Sequence, residues 1–188
     1  MNPIVIKEHD GVLVVREDLI AGGTKARVLP VLFDGAEEYV YASPVYGYAQ
    51  IALAHAATAN GKKALIFCAR RAKPHPRTLE AYAAGANVFQ IDVGYMAVVQ
   101  ARAREYCKAT AAAKLLPLGL DDPAFISELA RIAAALPVKP TEVWSAAGSG
   151  VLTRALQMAW PKAQVNAVRV GKVPNKAEAK PGALFWNL

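Results

Sequence analysis

From residue 38 onward this chain alternates short apolar segments with helix-length ones, and that order leaves few folds open to it. Strand candidates lie at 38–42, 64–68, 87–93, 115–118, 141–145 and 164–170. Between them lie helix candidates at 46–58, 77–84, 96–111 and 149–159, and one capped by Asp122-Pro123 that runs to Leu136. Apolar strands alternating with helices predict an α/β fold, a mostly parallel sheet with helices on both faces. Such sheets bind ligands beyond the carboxyl ends of their strands. Chemistry is therefore expected at 42–48, 68–73, 93–95 and 146–150. Ahead of the alternation, Ile4-Val5-Ile6 and Val12-Leu13-Val14-Val15 read as a hairpin around Asp10-Gly11. A turn at Ala21-Gly22-Gly23 follows, then a short helix from about Lys25 that ends or kinks at Pro30. The expected organisation is one compact α/β catalytic unit over 1–170, with a small subdomain at about 45–115. A basic, proline-containing tail over 171–188 closes the chain, its Ala183-Leu184-Phe185-Trp186 apolar enough to dock.

The chain has the material for such a core: 54% of its 188 residues are hydrophobic and 20% charged, which excludes a disordered chain. No apolar run is long enough to span a membrane, and Met1-Asn2-Pro3-Ile4 has no signal-peptide pattern. Cys68 and Cys107 are too few for a disulfide scaffold, so the expected compartment is a reducing cytoplasm. His9, His55 and His75 lack metal-ligand spacing, and no metal is expected. His55 reads as helix packing, His75 as a loop residue, and Cys68 and Trp144 as core. The formal charge of +7 permits an anionic partner.

Three segments are able to carry chemistry. The first is Arg16-Glu17-Asp18-Leu19-Ile20-Ala21-Gly22-Gly23-Thr24-Lys25-Ala26-Arg27. Its glycine pair permits a tight turn and close approach of the backbone. Lys25 then stands at a helix start, where the dipole and a low-dielectric site both depress its pKa. A neutral lysine amine is what Schiff-base chemistry needs; the plain alternative is a glycine turn followed by an exposed lysine. The second is Ala146-Ala147-Gly148-Ser149-Gly150-Val151-Leu152-Thr153, which opens a helix directly after a strand. It presents backbone N–H groups and a hydroxyl to an anion such as a phosphate, unless it is an ordinary strand-to-helix turn. The third is Ser43-Pro44-Val45-Tyr46-Gly47-Tyr48-Ala49-Gln50, where Tyr46 and Tyr48 can stack on an aromatic ring or donate a hydrogen bond, or simply pack half-buried.

In this order, the three segments resemble those of the tryptophan-synthase-β-like pyridoxal-phosphate enzymes of fold type II. The closer likeness is to the aminocyclopropane-carboxylate deaminase and D-cysteine desulfhydrase branch. Gly85-Ala86-Asn87-Val88 and Ile91-Asp92 also resemble that family's small-domain strand. The resemblance covers about residues 12–170. It implies pyridoxal 5'-phosphate as cofactor, with Lys25 as the catalytic Schiff-base lysine. It implies further that Gly148, Ser149, Gly150, Val151 and Thr153 hold the phosphate and that Tyr46 and Tyr48 serve the ring. Thr24, Ser43, Gln50 and Arg70 would then meet the substrate. Gly47 and Tyr48 depart from the family's Asn and His, and Val151-Leu152 from a further Gly and Thr. Family members continue well past the strand matching 164–170, whereas eighteen residues remain here, which implies an open or shared site.

The expected function is thus a pyridoxal-phosphate-dependent, lyase- or deaminase-like enzyme acting at Cα or Cβ of an amino acid or amino-acid-like group. Alanine-rich helix faces make a homodimer the expected assembly. Basic residues open two alternatives. No Asp or Glu lies between Glu38 and Glu80, while Lys62, Lys63, Arg70, Arg71, Lys73 and Arg77 do. Arg154, Lys162, Arg169, Lys172, Lys176 and Lys180 form a second basic stretch. These are a solvated face or the mark of a polyanionic substrate. In the latter case the enzyme would modify, for example decarboxylate, an amino-acid-decorated base in DNA or RNA. The other alternative is a non-catalytic binder of a phosphate ligand or a nucleic acid.

Overall fold

The computed structural model describes residues 3–92, 94–170 and 184–187, the last four by backbone alone. Contacts divide the chain into two units, Met1–Leu118 and Gly119–Leu188.

The first unit opens with the expected hairpin, β1 (Ile6–His9) and β2 (Val12–Val15), paired antiparallel with His9 opposite Val12. Asp10 and Gly11 both take positive φ, 50° and 81°, as a two-residue hairpin turn requires. A 3-10 turn at Glu17–Leu19 leads into α1 (Gly23–Val28), which passes into a second 3-10 turn, Leu29–Leu32, around Pro30. Then come β3 (Glu38–Ala42), α2 (Ala49–Ala59), β4 (Lys63–Ala69), α3 (Pro76–Ala83), β5 (Asn87–Ile91), α4 (Met96–Ala109) and β6 (Ala113–Leu115). The four strands β3 to β6 form a parallel sheet in the order β5-β4-β3-β6.

Strand periodicity explains the layering. Alternate residues of β3 and β4 face opposite sides of the sheet. Val40, Ala42, Leu65 and Phe67 pack with Val99 and Ala103 of α4. The other set, including Tyr39, Tyr41, Ala64, Ile66 and Cys68, is buried as well, and α2 packs on β3 and β4. α2 itself is apolar nearly all round, with Ala52, Leu53 and Ala54 fully inaccessible, so it is an interior helix. Each fully buried Leu or Ile here contributes about 1.5–3 kcal/mol. Cys68 and His55 take the packing roles expected of them, and burial pushes the Cys68 thiol up.

The second unit contains α5 (Pro123–Ala134), β7 (Glu142–Ala147), α6 (Val151–Ala159), β8 (Gln164–Arg169) and β9 (Leu184–Asn187). Asp122 accepts from the N–H groups of Ala124 (2.8 Å) and Phe125 (3.3 Å), the cap read from the sequence. The strands form a parallel sheet in the order β7-β8-β9. Its core joins Ala133, Leu156 and Val165 with Val143, Leu152, Ala159 and Trp160. The apolar end of the chain docks as β9, with Phe185 in register with Ala167. The remainder of the 171–188 tail, Lys172, Lys176 and Lys180 included, lies outside the described residues, as does Val93.

The parallel strands expected from the sequence are thus present, distributed over two sheets. One core assignment is corrected. Trp144 is 55% exposed, because alternation along β7 sends it to the face opposite Val143. Its Nε1 donates to Glu142 Oε1 at 2.9 Å. Among the described residues, no helix is long and apolar enough to cross a membrane, and no group of three or more His, Cys, Asp and Glu is placed to hold a metal ion.

Candidate functional site

The lysine segment of the first unit is ordered by its charges. Arg16 binds Asp18 through two hydrogen bonds, Nε to Oδ1 at 2.9 Å and Nη2 to Oδ2 at 2.7 Å. Glu17 reaches forward to Arg27, whose Nη2 lies 3.0 Å from Oε1 and whose Nε contacts both carboxylate oxygens. The Arg27 side chain is only 3% exposed, so this is a sheltered, forked ion pair of the strong kind. It ties the 3-10 turn to α1 and fixes the helix two residues beyond Lys25.

The glycines do the rest. Gly22 is left-handed at φ 78°, and a Cβ there would stand 2.6 Å from Ala26 Cβ and 3.1 Å from Ala52 Cα. Only glycine lets α1 approach α2 so closely. Lys25 is partly buried, and among the described residues its side chain makes no hydrogen bond or ion pair. Burial pushes its ammonium below the ordinary lysine value of 10.5. The direction agrees with the sequence reading, but desolvation alone causes it. α1 is six residues long, too short for its terminus to contribute much. Thr24 sits beside it in α1, also partly buried.

The loop between β3 and α2 is held from inside. Gln50 is fully buried, and its Nε2 donates to the carbonyls of Val45 and Gly47, both at 2.9 Å. Ser43, 1% exposed, donates its hydroxyl to Pro44 O at 2.9 Å. The structure thus places both as internal braces of the loop. A Cβ on Gly47 would meet Pro44 O and Ser43 Oγ at 3.1 Å, so the family's Asn has little room at this position. Tyr46 and Tyr48 are 55% and 40% exposed, available to a ligand. Tyr48 lies against the lysine segment: a Cβ on Gly23 would be 3.6 Å from its Cε1. Burial pushes the Tyr48 hydroxyl up, Glu80 adds to this, and Arg77 opposes it.

Arg77 is the residue whose place the sequence did not reveal. It was legible only as one member of a basic stretch, yet its Nη1 donates to Tyr46 O at 2.8 Å and its guanidinium lies over the Tyr48 ring, 5.6 Å from the centroid. His75 is the N-cap of α3, its Nδ1 accepting the Arg77 N–H at 3.2 Å. Arg70 follows β4 at its carboxyl end and pairs with Asp92 at 2.9 Å, both exposed.

The second unit carries the glycine loop. Gly150 is left-handed at φ 82° and starts α6 without any side-chain cap. The first N–H groups of α6, from Val151 onward, therefore remain for an anion. Thr153 in the first turn is fully buried, and its Oγ1 has no hydrogen-bond partner among the described residues. Space beside Gly148 is open: a Cβ there would meet nothing within 4 Å. The loop is braced by the preceding turn. A Cβ on Gly119 would be 2.8 Å from Ser149 Cβ, Ser149 Oγ lies 3.5 Å from Gly119 O, and Arg154 pairs with Asp121. An uncapped helix start with open space beside Gly148 suits an anion such as a phosphate.

No protein-family model matches the chain, and no curated protein sequence does. Solved structures do. An ACC deaminase homologue superposes with a TM-score of 0.74 at 18% identity, over 92% of this chain and 65% of its own. A threonine deaminase from T.th. gives 0.60 at 22% identity, over 79% of this chain and 50% of its own. The chain shares their fold. An O-acetylserine dependent cystathionine beta-synthase from Helicobacter pylori has it too, with a TM-score of 0.63 at 20% identity, over 94% of this chain and 69% of its own. The chain therefore spans about half to two thirds of the length of these enzymes.

Proposed function

We propose that this chain is a pyridoxal-phosphate-dependent enzyme of the lyase and deaminase kind, acting on an amino acid or a similar amine. The observation that carries the reading is Lys25: a partly buried lysine with no partner among the described residues, its pKa depressed, fixed in α1 by the Glu17–Arg27 pair. A structural lysine would be paired or extended into water. A lysine kept toward its neutral form is a nucleophile. The fold shared with an ACC deaminase homologue, a threonine deaminase and a cystathionine beta-synthase supports the same reading.

In this reading Lys25 Nζ would hold the cofactor, and its amine would move the proton at the substrate Cα. Within the second unit, the N–H groups at the Gly148-Ser149-Gly150 turn and the start of α6 suit a phosphate on their own account. Tyr48 lies against the ring, and Ser43 and Gln50 keep the loop that carries it in shape. Thr24 and Arg70 stand by the substrate. The cofactor, when bound, supplies an electron sink for the bond broken at Cα or Cβ. This assignment is tested by adding pyridoxal phosphate, reducing with borohydride and mapping the modified peptide by mass. The expected result is label on Lys25, lost in Lys25→Ala. Label spread over surface lysines such as Lys63 and Lys73, or none, overturns it.

A further inference from the structure

Arginines in this chain mostly meet carboxylates: Arg16 with Asp18, Arg27 with Glu17, Arg70 with Asp92, Arg131 with Glu128. Arg77 does not. It is held by neutral groups, the Tyr46 carbonyl at 2.8 Å and the Tyr48 ring at 5.6 Å, within cation–π range. Among the described residues it has no carboxylate partner, and Glu80, one turn further along α3, forms no ion pair with it. The backbone beneath it is fixed as well, by the His75 cap and by Pro76 at the first helical position. A guanidinium carries five N–H donors, and one is used here. The structure thus orients the fork without neutralising it, which is how an arginine is prepared for a planar carboxylate.

Its position gives this meaning. Arg77 stands beyond the carboxyl ends of β3 and β4, where parallel sheets bind ligands. A Cβ on Gly23, two residues before Lys25, would lie 3.6 Å from the Tyr48 ring beneath Arg77. We infer that Arg77 is the specificity-determining residue that receives the carboxylate of the amine substrate. The inference rests on the proposed function and adds to it the residue that tells an amino acid from its amide or a simple amine. Arg71 and Lys73, both exposed and not braced in this way, add attraction for anions without direction.

The test uses the full chain loaded with pyridoxal phosphate and titrated with D- and L-amino acids and with their amides, followed by the absorbance of the bound cofactor. Arg77→Gln is expected to weaken the amino acids roughly ten- to a hundredfold while leaving the amides almost unchanged. Arg77→Lys, which keeps the charge but not the fork, recovers part of the loss. Equal weakening of acids and amides, no weakening at all, or no response of the unmutated protein to any amino acid overturns the inference. Borohydride labelling of Lys25 in the same samples separates the two levels. Label with no discrimination removes only the role of Arg77, whereas absence of label removes the proposed function itself.

Discussion

Gly22 and Lys25 lie three residues apart in one turn of chain and are constrained by different physics. At Gly22 both conformation and space exclude a side chain. Gly22→Ala is expected to cost about 3 kcal/mol, since φ is 78° and Ala26 Cβ would stand 2.6 Å away. Gly61, equally left-handed at φ 64° but facing open space, isolates the conformational part, and Gly61→Ala is expected to cost about 1 kcal/mol. Urea unfolding of the two variants checks the difference. Lys25 is set by solvation. Its folded pKa lies below 10.5, so the unfolded chain binds more protons and stability rises with pH between the two values. Below the folded pKa the desolvation cost is present in full. Lys25→Met should therefore stabilise the cofactor-free protein at pH 7, and the gain should shrink as pH approaches 10.5. A constant gain across that range would mean that packing, not charge, separates the two side chains. The lysine was legible in the sequence because its charged and glycine neighbours are local. The glycine turn was legible for the same reason; what crowds Gly22 from outside its own segment was not, because Ala52 and His55 belong to α2, about thirty residues away.

Elements came out of the sequence where their boundaries are written in local chemistry. The Asp122-Pro123 start of α5 is such a case. Boundaries set by tertiary contacts moved. α2 begins at Ala49, three residues later than its pattern suggests, because Gln50 spends its amide on the carbonyls of the loop ahead of it. β6 closes at Leu115, because Pro117 has no N–H to carry the ladder onward. α6 begins at Val151, because Gly150 is left-handed. The brace in the β3–α2 loop is open to test. Gln50→Glu keeps the shape but sets a buried carboxylate against the carbonyls of Val45 and Gly47. At pH 7 the loss should be about 3 kcal/mol or more. Burial raises the pKa of such an acid, so the folded state holds the proton more tightly and stability falls as pH rises. The loss should accordingly be smallest near pH 5. Thermal unfolding of the variant against the parent over that range decides it; a loss independent of pH would place the effect in packing.

At the scale of the whole molecule, the α/β class was legible because alternation is a local signal. The partition of strands between two sheets was not, since nothing in a strand names its neighbour: β3 pairs with both β4 and the distant β6, and β9 joins β8 across residues 170–183. The lysine lies in the first unit and the glycine loop in the second, so a variant in each probes the unit it belongs to. A ligand that binds only the folded chain at a hundred times its Kd stabilises it by about 2.7 kcal/mol. For a chain of 188 residues this is a rise in Tm of roughly 5–10 °C. Pyridoxal phosphate is expected to produce it, and Lys25→Ala to reduce it. Thr153→Val is the sharper case. The hydroxyl is buried without a partner among the described residues, so replacing it by a methyl of the same size should leave the cofactor-free protein as stable or about 1 kcal/mol more so. If that hydroxyl serves the phosphate, the same change weakens the cofactor about tenfold and removes about 1.4 kcal/mol of the stabilisation. Gain without ligand and loss with it is a combination that a purely structural threonine does not give. A drop in Tm without pyridoxal phosphate, with the ligand-induced rise intact, would assign the hydroxyl to the fold and leave the loop without its buried donor.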